Sequence, residues 1–330
     1  MRERSVGGVD AGHPGPAAPA RMHRVGPALC AATVAGGLLA LQSRVNGALT
    51  ERVGSAVVVA LSSFLIGLVT LLVVVAATGK WRLVADVRRR KARTPLIFTG
   101  GLGGAVIVTT AASAVPLIGV ALLGVCLVAG QLAGSLVVDG VGVGPSGRHP
   151  ITAPRVLGST LAVAGVALSL VGERVELRPL VVAMVVLAGV VGAVQQAVNG
   201  RLQQHLRDTW LTATVNFAVG TAAVALVALV VVGRGVDLGS WPVNPLLYVG
   251  GPCGVVFVAV AATTVRLLGV LRLTLAVVAG QLAGGLLLDV VAPVADRPGL
   301  WLALGVAVVL AAVALTARPE KSPVRSPTRT

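Results

Sequence analysis

The sequence predicts an all-α membrane protein with about ten transmembrane helices, arranged as two inverted five-helix repeats. Three observations lead to this fold class: the apolar composition, the length and number of the apolar segments, and an internal repeat. Hydrophobic residues make up 55% of the 330 residues and charged residues only 12%, whereas soluble domains carry about 25% charged residues. The lipid bilayer is therefore the expected solvent for most of the side chains.

Composition also limits the classes of function. The formal net charge is +15, but the basic residues lie between apolar segments and accompany no nucleic-acid-binding motif, so no nucleic-acid partner is expected. The three cysteines, Cys30, Cys126 and Cys253, lie inside apolar segments without metal-ligand or redox spacing. We expect them to be small core residues, and we predict neither a metal site nor a cofactor.

Ten apolar segments of membrane-spanning length lie between two polar tails, 1–24 and 318–330, which are predicted to be cytoplasmic. The N-terminal tail is rich in Gly, Pro, Ala and Arg and is predicted to be disordered. Very tight turns are expected at Pro116, between the third and fourth segments, and at Arg266, between the eighth and ninth. The segments lie near 26–46, 54–78, 95–115, 117–138, 154–172, 179–200, 209–232, 245–265, 269–289 and 299–316.

An internal repeat divides the chain into two similar halves. The segment LQSRVNGAL, which begins at Leu41, aligns with VQQAVNGRL, which begins at Val194, and VAGQLAG occurs identically at 128–134 and 278–284. Because each half holds five crossings, an odd number, the second half must enter the membrane from the opposite side. The two halves are predicted to be the five-helix repeats 25–173 and 174–317.

The distribution of positive charge gives a second indication of this topology. With the N-terminus inside, 21 of the 27 Lys and Arg residues lie in cytoplasmic segments, as the positive-inside rule requires. The matched loops also differ: Lys80–Arg93 is strongly basic, whereas Arg234–Asn244 holds one Arg and one Asp. We therefore expect a bacterial inner-membrane protein with both termini in the cytoplasm.

The paired VNG and VAGQLAG blocks, with a Phe- and Gly-bearing helix after each VNG, resemble the YdcZ-type branch of the drug/metabolite transporter superfamily. Many members of that branch are single five-helix units, so this chain resembles a fused pair. The resemblance implies a ten-crossing helical fold and export of a small metabolite or drug-like solute. The first block carries Arg44 where the second carries Ala197, so the two halves need not play equal roles.

Four amide side chains are candidates for binding a solute. Gln42 and Asn46 are four residues apart and share one helix face, and Gln195 and Asn199 repeat this pattern. An uncharged amide in hydrocarbon needs hydrogen-bonding partners. The four amides could bond neighbouring helices to one another, or they could line a cavity for a polar or zwitterionic solute. The Asn-Gly pairs could also simply cap the helix ends through a left-handed glycine, and all three interpretations stay open.

Two isolated rings, Phe64 and Phe217, occupy equivalent positions in the two halves. They either pack in the core or form a hydrophobic gate. Each ring follows a polar residue, Ser63 in the first half and Asn216 in the second, and these two residues are further candidates for lining the same cavity.

Gln131 and Gln281 each lie in a Gly-x-x-x-Gly frame, at 130–134 and 280–284. Small residues four apart let helices approach closely. We expect these frames to form a packing seam, either between the halves or between the fourth and ninth helices. Lining of the solute pathway is a secondary role for both glutamines.

Asp139 and Asp289 are equivalent acids near the ends of the fourth and ninth predicted helices. Either they are helix-end charges at the membrane surface, or they couple transport to an ion. No ionisable residue is predicted at mid-membrane, which argues against a multidrug pump with a membrane-embedded glutamate.

A secondary transporter that works by alternating access is thus the expected function, with the bilayer and a small solute as its partners. This class of transporter needs no ATP site, and the sequence shows no ATP-binding motif. No enzymatic activity is expected, because the sequence shows no cluster of catalytic residue types. A non-transporting scaffold or subunit and a membrane-embedded lipid-modifying enzyme are the alternatives. A homodimer is one alternative for the oligomeric state.

Overall fold

The computed structural model describes residues 19–80, 95–144, 147–148, 151–171, 178–293 and 299–316. Most of the predicted tails therefore lies outside the described residues, as does most of the basic loop at 80–93. Short 3-10 helices, Pro95–Thr99 and Pro245–Tyr248, precede the third and seventh α-helices. The described residues form eight α-helices: α1 Pro19–Val53, α2 Ala56–Ala77, α3 Gly100–Val141, α4 Ala153–Ser169, α5 Arg178–Leu206, α6 Thr209–Gly233, α7 Gly250–Val291 and α8 Leu300–Thr316.

The helices have the length and apolar character of a membrane protein. Six described stretches are long and apolar enough to cross a bilayer, and three shorter apolar helices accompany them. Large apolar side chains such as Leu226 and Leu229 are exposed on the helix surfaces, as lipid-facing residues are. The all-helical membrane class is confirmed, and every one of the ten predicted segments overlaps a described helix.

Helix α3 reverses direction at Gly119. Its 42 residues would extend about 63 Å if straight, roughly twice the thickness of the hydrocarbon layer. Gly119 has φ 74° and ψ 174°, a conformation that glycine adopts without steric cost. On either side of this break, Ile107 and Gln131 both contact Gly192 of α5, so the two segments of α3 lie side by side.

The predicted turn at Pro116 is therefore misplaced by three residues. Proline fixes φ near −65° and could not adopt the left-handed conformation that the reversal uses at Gly119. Pro116 instead lies within the helix before the break.

Helix α7 also reverses along its length. Residues 250–254 contact residues 42–46 of α1 in reverse order, whereas residues 280–284 contact residues 33–37 in the same order. The direction of the chain must change between these two stretches. The predicted tight turn at Arg266 falls between these two stretches and stays a prediction, because α7 is assigned as one helix from Gly250 to Val291.

The main helix contacts join one half of the chain to the other. Helix α1 packs against α7, and the equivalent helices α5 and α3 pack against each other. Helices α2 and α6 form a third pair, and α4 and α8 a fourth. The halves are consequently interleaved, and both Gly-x-x-x-Gly frames lie at the seam between them: residues 130–134 against α5, and residues 280–284 against α1.

The largest hydrophobic core surrounds the middle of α3. All residues from Ile118 to Gly130 are buried, and side chains of α4, α5, α7 and α8 pack around them. Cys126 and Cys253 are buried as predicted, but Cys30 is exposed on α1. The expectation of a core position is wrong for Cys30, because its side chain lies on the outer face of the helix.

Two arginines bind the exposed carbonyl groups at the C-terminal ends of the reversed helices. In the first half, Arg44 of α1 donates to the carbonyl oxygen of Ala292, after α7, over 2.9 Å. In the second half, Arg201 of α5 donates to the carbonyl oxygen of Gly142, after α3, also over 2.9 Å. Although the two arginines are not aligned in the repeat, they serve equivalent helix ends, where positive charge is favourable.

Asp208 links the start of α6 to the end of α2. Its side chain accepts from the backbone N–H of Leu211 as the helix N-cap, and Nζ of Lys80 lies 2.6 Å from Oδ2. Burial raises the pKa of Asp208, but the hydrogen bond and charge of Lys80, with the backbone N–H groups, outweigh this effect and hold the pKa below its usual value. The carboxylate is therefore ionised at neutral pH, and this contact is lost only on strong acidification.

Candidate functional site

The rings of Phe64 and Phe217 contact each other at the junction of α2 and α6. Their centroids are 5.5 Å apart and their planes are inclined by 56°, a favourable tilted arrangement. Each ring lies on a glycine of the opposite helix. A Cβ atom on Gly220 would lie 2.9 Å from Cδ1 of Phe64, and one on Gly67 would lie 2.9 Å from Cδ1 of Phe217. Any larger residue at either position would displace a ring.

A glutamine lies beside each ring. A Cβ atom on Gly254 of α7 would lie 3.4 Å from Oε1 of Gln42 and 3.5 Å from Cζ of Phe217. The amide of Gln42 thus shares the same small space with the ring. In the other half, Gln195 and Phe64 lie around Gly104 of α3 in the same way.

Asn46 and Ser63 form a polar cluster at the start of α7, here called the first cluster. Nδ2 of Asn46 donates to Oγ of Ser63 over 3.4 Å, and the two residues are 3% and 5% exposed. Both face Gly250, where a Cβ atom would lie 3.1 Å from the serine oxygen. Three helices, α1, α2 and α7, meet at this hydrogen bond.

Asn199 and Asn216 form the equivalent second cluster at the start of α3. Both Oδ1 atoms lie within 2.7 Å of the point that a Cβ atom on Gly100 would occupy. Nδ2 of Asn216 donates to the carbonyl oxygen of Thr212 over 3.1 Å. Within the described part of the chain, neither Oδ1 atom has a hydrogen-bond donor.

The other two candidate glutamines lie away from these clusters. Nε2 of Gln131 would be 3.3 Å from a Cβ atom on Gly192 of α5, and the backbone nitrogen of Gln281 would be 2.9 Å from one on Gly36 of α1. Both residues therefore belong to the seams between the halves, and the structure does not bring them to the aromatic pair.

The two symmetric acids have different partners. Asp289 is 4% exposed, and its carboxylate accepts from the backbone N–H groups of Val120 and Ala121 over 3.1 and 2.7 Å. It thus caps the helix that begins after Gly119. Asp139 forms an ion pair with Arg155 of α4. These contacts favour helix-end roles for both acids over coupling of transport to an ion.

Comparison with known proteins now decides the family. The model of the family described as “Putative inner membrane exporter, YdcZ” matches the chain twice, over residues 27–168 and 180–315. The chain belongs to this family. A crystal structure of a protein with 22% sequence identity covers 89% of this chain and 96% of its own, with a TM-score of 0.53, and shows a similar fold. A search of curated proteins finds no significant match.

The predicted family and its two-repeat form are therefore confirmed for this YdcZ-family protein. The family is described as exporters of the inner membrane, which are transporters. The aromatic pair and the two clusters together provide amide donors, amide acceptors and ring faces, none of which carries a formal charge.

Sequence reasoning missed the glycines as parts of the site. The four glycines Gly100, Gly104, Gly250 and Gly254 make room for the amides, and a side chain at Gly100 or Gly250 would collide with an asparagine. Their signal was present, because these glycines recur at equivalent positions in the two halves. This recurrence is a mark of the repeat, but nothing in a single sequence tells which amide a glycine faces.

Proposed function

We propose that this YdcZ-family protein is a secondary transporter that exports a small polar metabolite or drug-like solute by alternating access between two inverted repeats. One observation carries the proposal: two equivalent polar clusters lie at the starts of α7 and α3, with the Phe64–Phe217 pair between the helices that bear them. Each cluster places two side chains of one half against a glycine of the other half, so that movement of one half against the other would open or close it.

Contacts between loops support the inverted arrangement. The backbone N–H of Gly239 donates to the carbonyl oxygen of Val53 over 3.0 Å, and Lys80 pairs with Asp208. Each contact joins two loops that the charge distribution assigns to the same side of the membrane: the first pair outside, the second pair inside. In this topology the first cluster faces the periplasm and the second cluster faces the cytoplasm, with both termini also in the cytoplasm.

The aromatic pair would then act as the barrier between the two clusters. The rings exclude water and ions when they are in contact. The glutamine beside each ring offers both a donor and an acceptor, and could orient a solute as it passes. Binding near the midplane by uncharged groups suits a polar or zwitterionic solute, since a strongly bound ion would be slow to leave.

Chemical labelling tests the topology. Cysteines are introduced singly at Glu51, Asp237, Thr78 and Arg207, all exposed positions, in a variant whose three native cysteines are replaced by serine or alanine. A membrane-impermeant maleimide added to intact cells is expected to label the first two positions only, and permeabilisation should expose the other two. Labelling of positions 78 and 237 from the same side would contradict the inverted arrangement.

Flux measurements test transport. Proteoliposomes are loaded with an extract of polar metabolites, and mass spectrometry identifies solutes that leave faster than from protein-free liposomes. Asn46→Ala and Asn199→Ala are each expected to slow this loss about tenfold, because each variant removes hydrogen bonds that a solute would make.

Thr160→Ala is the matched control for these variants. Thr160 is exposed on α4, and its hydroxyl donates to the carbonyl oxygen of Val156, one turn earlier, so the variant should transport normally. If no solute leaves faster than from protein-free liposomes, the transport assignment is wrong.

A further inference from the structure

The two clusters differ in one residue, and this difference changes their chemistry. Ser63 of the first cluster is replaced by Asn216 in the second. In the first cluster, Nδ2 of Asn46 donates to the hydroxyl of Ser63, so the two side chains are bonded to each other, and Oδ1 of Asn46 faces Gly250. In the second, two amide oxygens converge on Gly100 without a donor. Buried acceptors without donors are rare, because they lose their hydrogen bonds to water.

The orientation of the Asn216 amide is set by its own helix. Its Nδ2 donates to the carbonyl oxygen of Thr212, one turn earlier in α6. Its Oδ1 must therefore point away from that carbonyl, toward Gly100 and Asn199. Rotation of this amide would place two oxygen atoms in contact and is unfavourable.

The Asn199 amide, in contrast, can take two orientations. As it stands, its Oδ1 is a second acceptor beside Gly100. After a half turn about its terminal bond, its Nδ2 would take the place of this oxygen beside Gly100, where it would face Oδ1 of Asn216. The second cluster thus has a closed form, bonded internally, and an open form that presents two acceptors to a ligand.

Two converging acceptors select the donor group that satisfies both. A hydroxyl group has one hydrogen and can serve only one oxygen, whereas a primary amino group has at least two N–H bonds from a single nitrogen. Asp208, which begins the same helix as Asn216, is already paired with Lys80. The cluster therefore offers amide dipoles rather than a full negative charge, which suits the ammonium group of a zwitterion better than a polycation.

From these observations we propose that the second cluster binds a primary amino group of the exported solute between Oδ1 of Asn199 and Oδ1 of Asn216. This assignment rests on the proposed transport function and names its substrate class. Because the second cluster faces the cytoplasm in the proposed topology, the amino group would be recognised as the solute is loaded. The first cluster, bonded internally, would hold it less tightly on release.

Methylation of the solutes tests the assignment without knowledge of the substrate. The polar extract is treated with formaldehyde and cyanoborohydride, which converts primary amines into dimethylamines. At neutral pH these keep their positive charge but retain one N–H bond. We expect the transported solutes to carry primary amino groups, and we expect their dimethylated forms to leave the proteoliposomes at least about tenfold more slowly.

Asn216→Ser gives the second cluster the composition of the first. The first cluster shows that a hydroxyl is accommodated between an asparagine and a glycine at this place, so the variant should keep its unfolding temperature. Its transport of amines should fall about tenfold, because Asn199 would bond to the introduced hydroxyl. Transport by the Thr160→Ala control should not change.

Two outcomes would overturn the assignment while leaving the transport function intact. One is flux of solutes that lack a primary amino group, with dimethylated amines moving as fast as the parent amines. The other is unchanged amine transport by Asn216→Ser. If the native extract shows no flux at all, both the transport function and the assignment fall.

Discussion

Replacing Gly36 by alanine is expected to destabilise the folded protein by about 2–4 kcal/mol, whereas the same change at the adjacent Gly37 should be nearly neutral. A Cβ atom on Gly36 would lie 2.8 Å from the carbonyl carbon of Val277 and 2.9 Å from the backbone nitrogen of Gln281. These are backbone atoms of α7, which cannot move aside without displacing the helix. For Gly37 the nearest atom is the carbonyl oxygen of Gly280 at 3.8 Å, an ordinary contact.

The adjacent glycine is a close control because both variants gain the same helix propensity. Alanine is favoured over glycine in a helix by about 1 kcal/mol, so a difference between them reports only the contact across the seam. Unfolding of the purified protein in mixed micelles measures both. Gly189, the repeat equivalent of Gly36, lies as closely against the backbone of α3 and should be as sensitive.

Equal losses at Gly36 and Gly37 would contradict the seam between α1 and α7. The loss would then reflect a need for glycine flexibility in α1 itself. Equal stability of the two alanine variants would also contradict this seam, because the two helices could not then approach as closely as the contacts require.

The internal repeat made most of the fold predictable. Once two copies are aligned, equivalent residues must occupy equivalent environments. Phe64 and Phe217 could therefore be matched as equivalent positions before their contact was known. The seams at 130–134 and 280–284 followed from the general use of small residues where membrane helices approach closely. These predictions needed only local spacing and symmetry.

The position of the chain reversal could not be derived in this way. Pro116 is the stronger local signal for a turn, yet the chain turns at Gly119, whose left-handed backbone is held by a carboxylate from the other half. Likewise, Arg44 and Arg201 are not aligned in the repeat and still bind equivalent helix ends. Such contacts depend on which helices become neighbours, and the sequence of either half does not contain that information.

The candidate site could be proposed from the sequence as a set of residues but not as a geometry. The amides of Asn46 and Asn199 were identified from their spacing, and the glycines that receive them were visible only as repeat markers. In the sequence, the difference between Ser63 in the first repeat and Asn216 in the second is only a minor departure from symmetry. It becomes informative only when the hydrogen bond of Asn216 to Thr212 fixes which atom faces the cluster.

The symmetric acids should respond very differently to the same substitution. Asp289→Asn is expected to cost about 2–3 kcal/mol of stability. The buried carboxylate accepts from two backbone N–H groups at the start of a helix, and an amide would present its own donor to one of them. It would also lose the favourable interaction of a negative charge with the helix N-terminus. Asp139→Asn should cost no more than about 1 kcal/mol, because the Asp139–Arg155 pair is about a quarter exposed.

Unfolding of the two variants, combined with flux at several pH values, separates a structural role from a coupling role for Asp289. A structural role predicts a less stable protein whose remaining folded fraction transports with the pH dependence of the unsubstituted chain. If Asp289→Asn instead kept full stability and lost the pH dependence of transport, Asp289 would be the coupling group. The cap that it forms on α3 would then open during the cycle, because the carboxylate must leave the two N–H groups in order to exchange a proton.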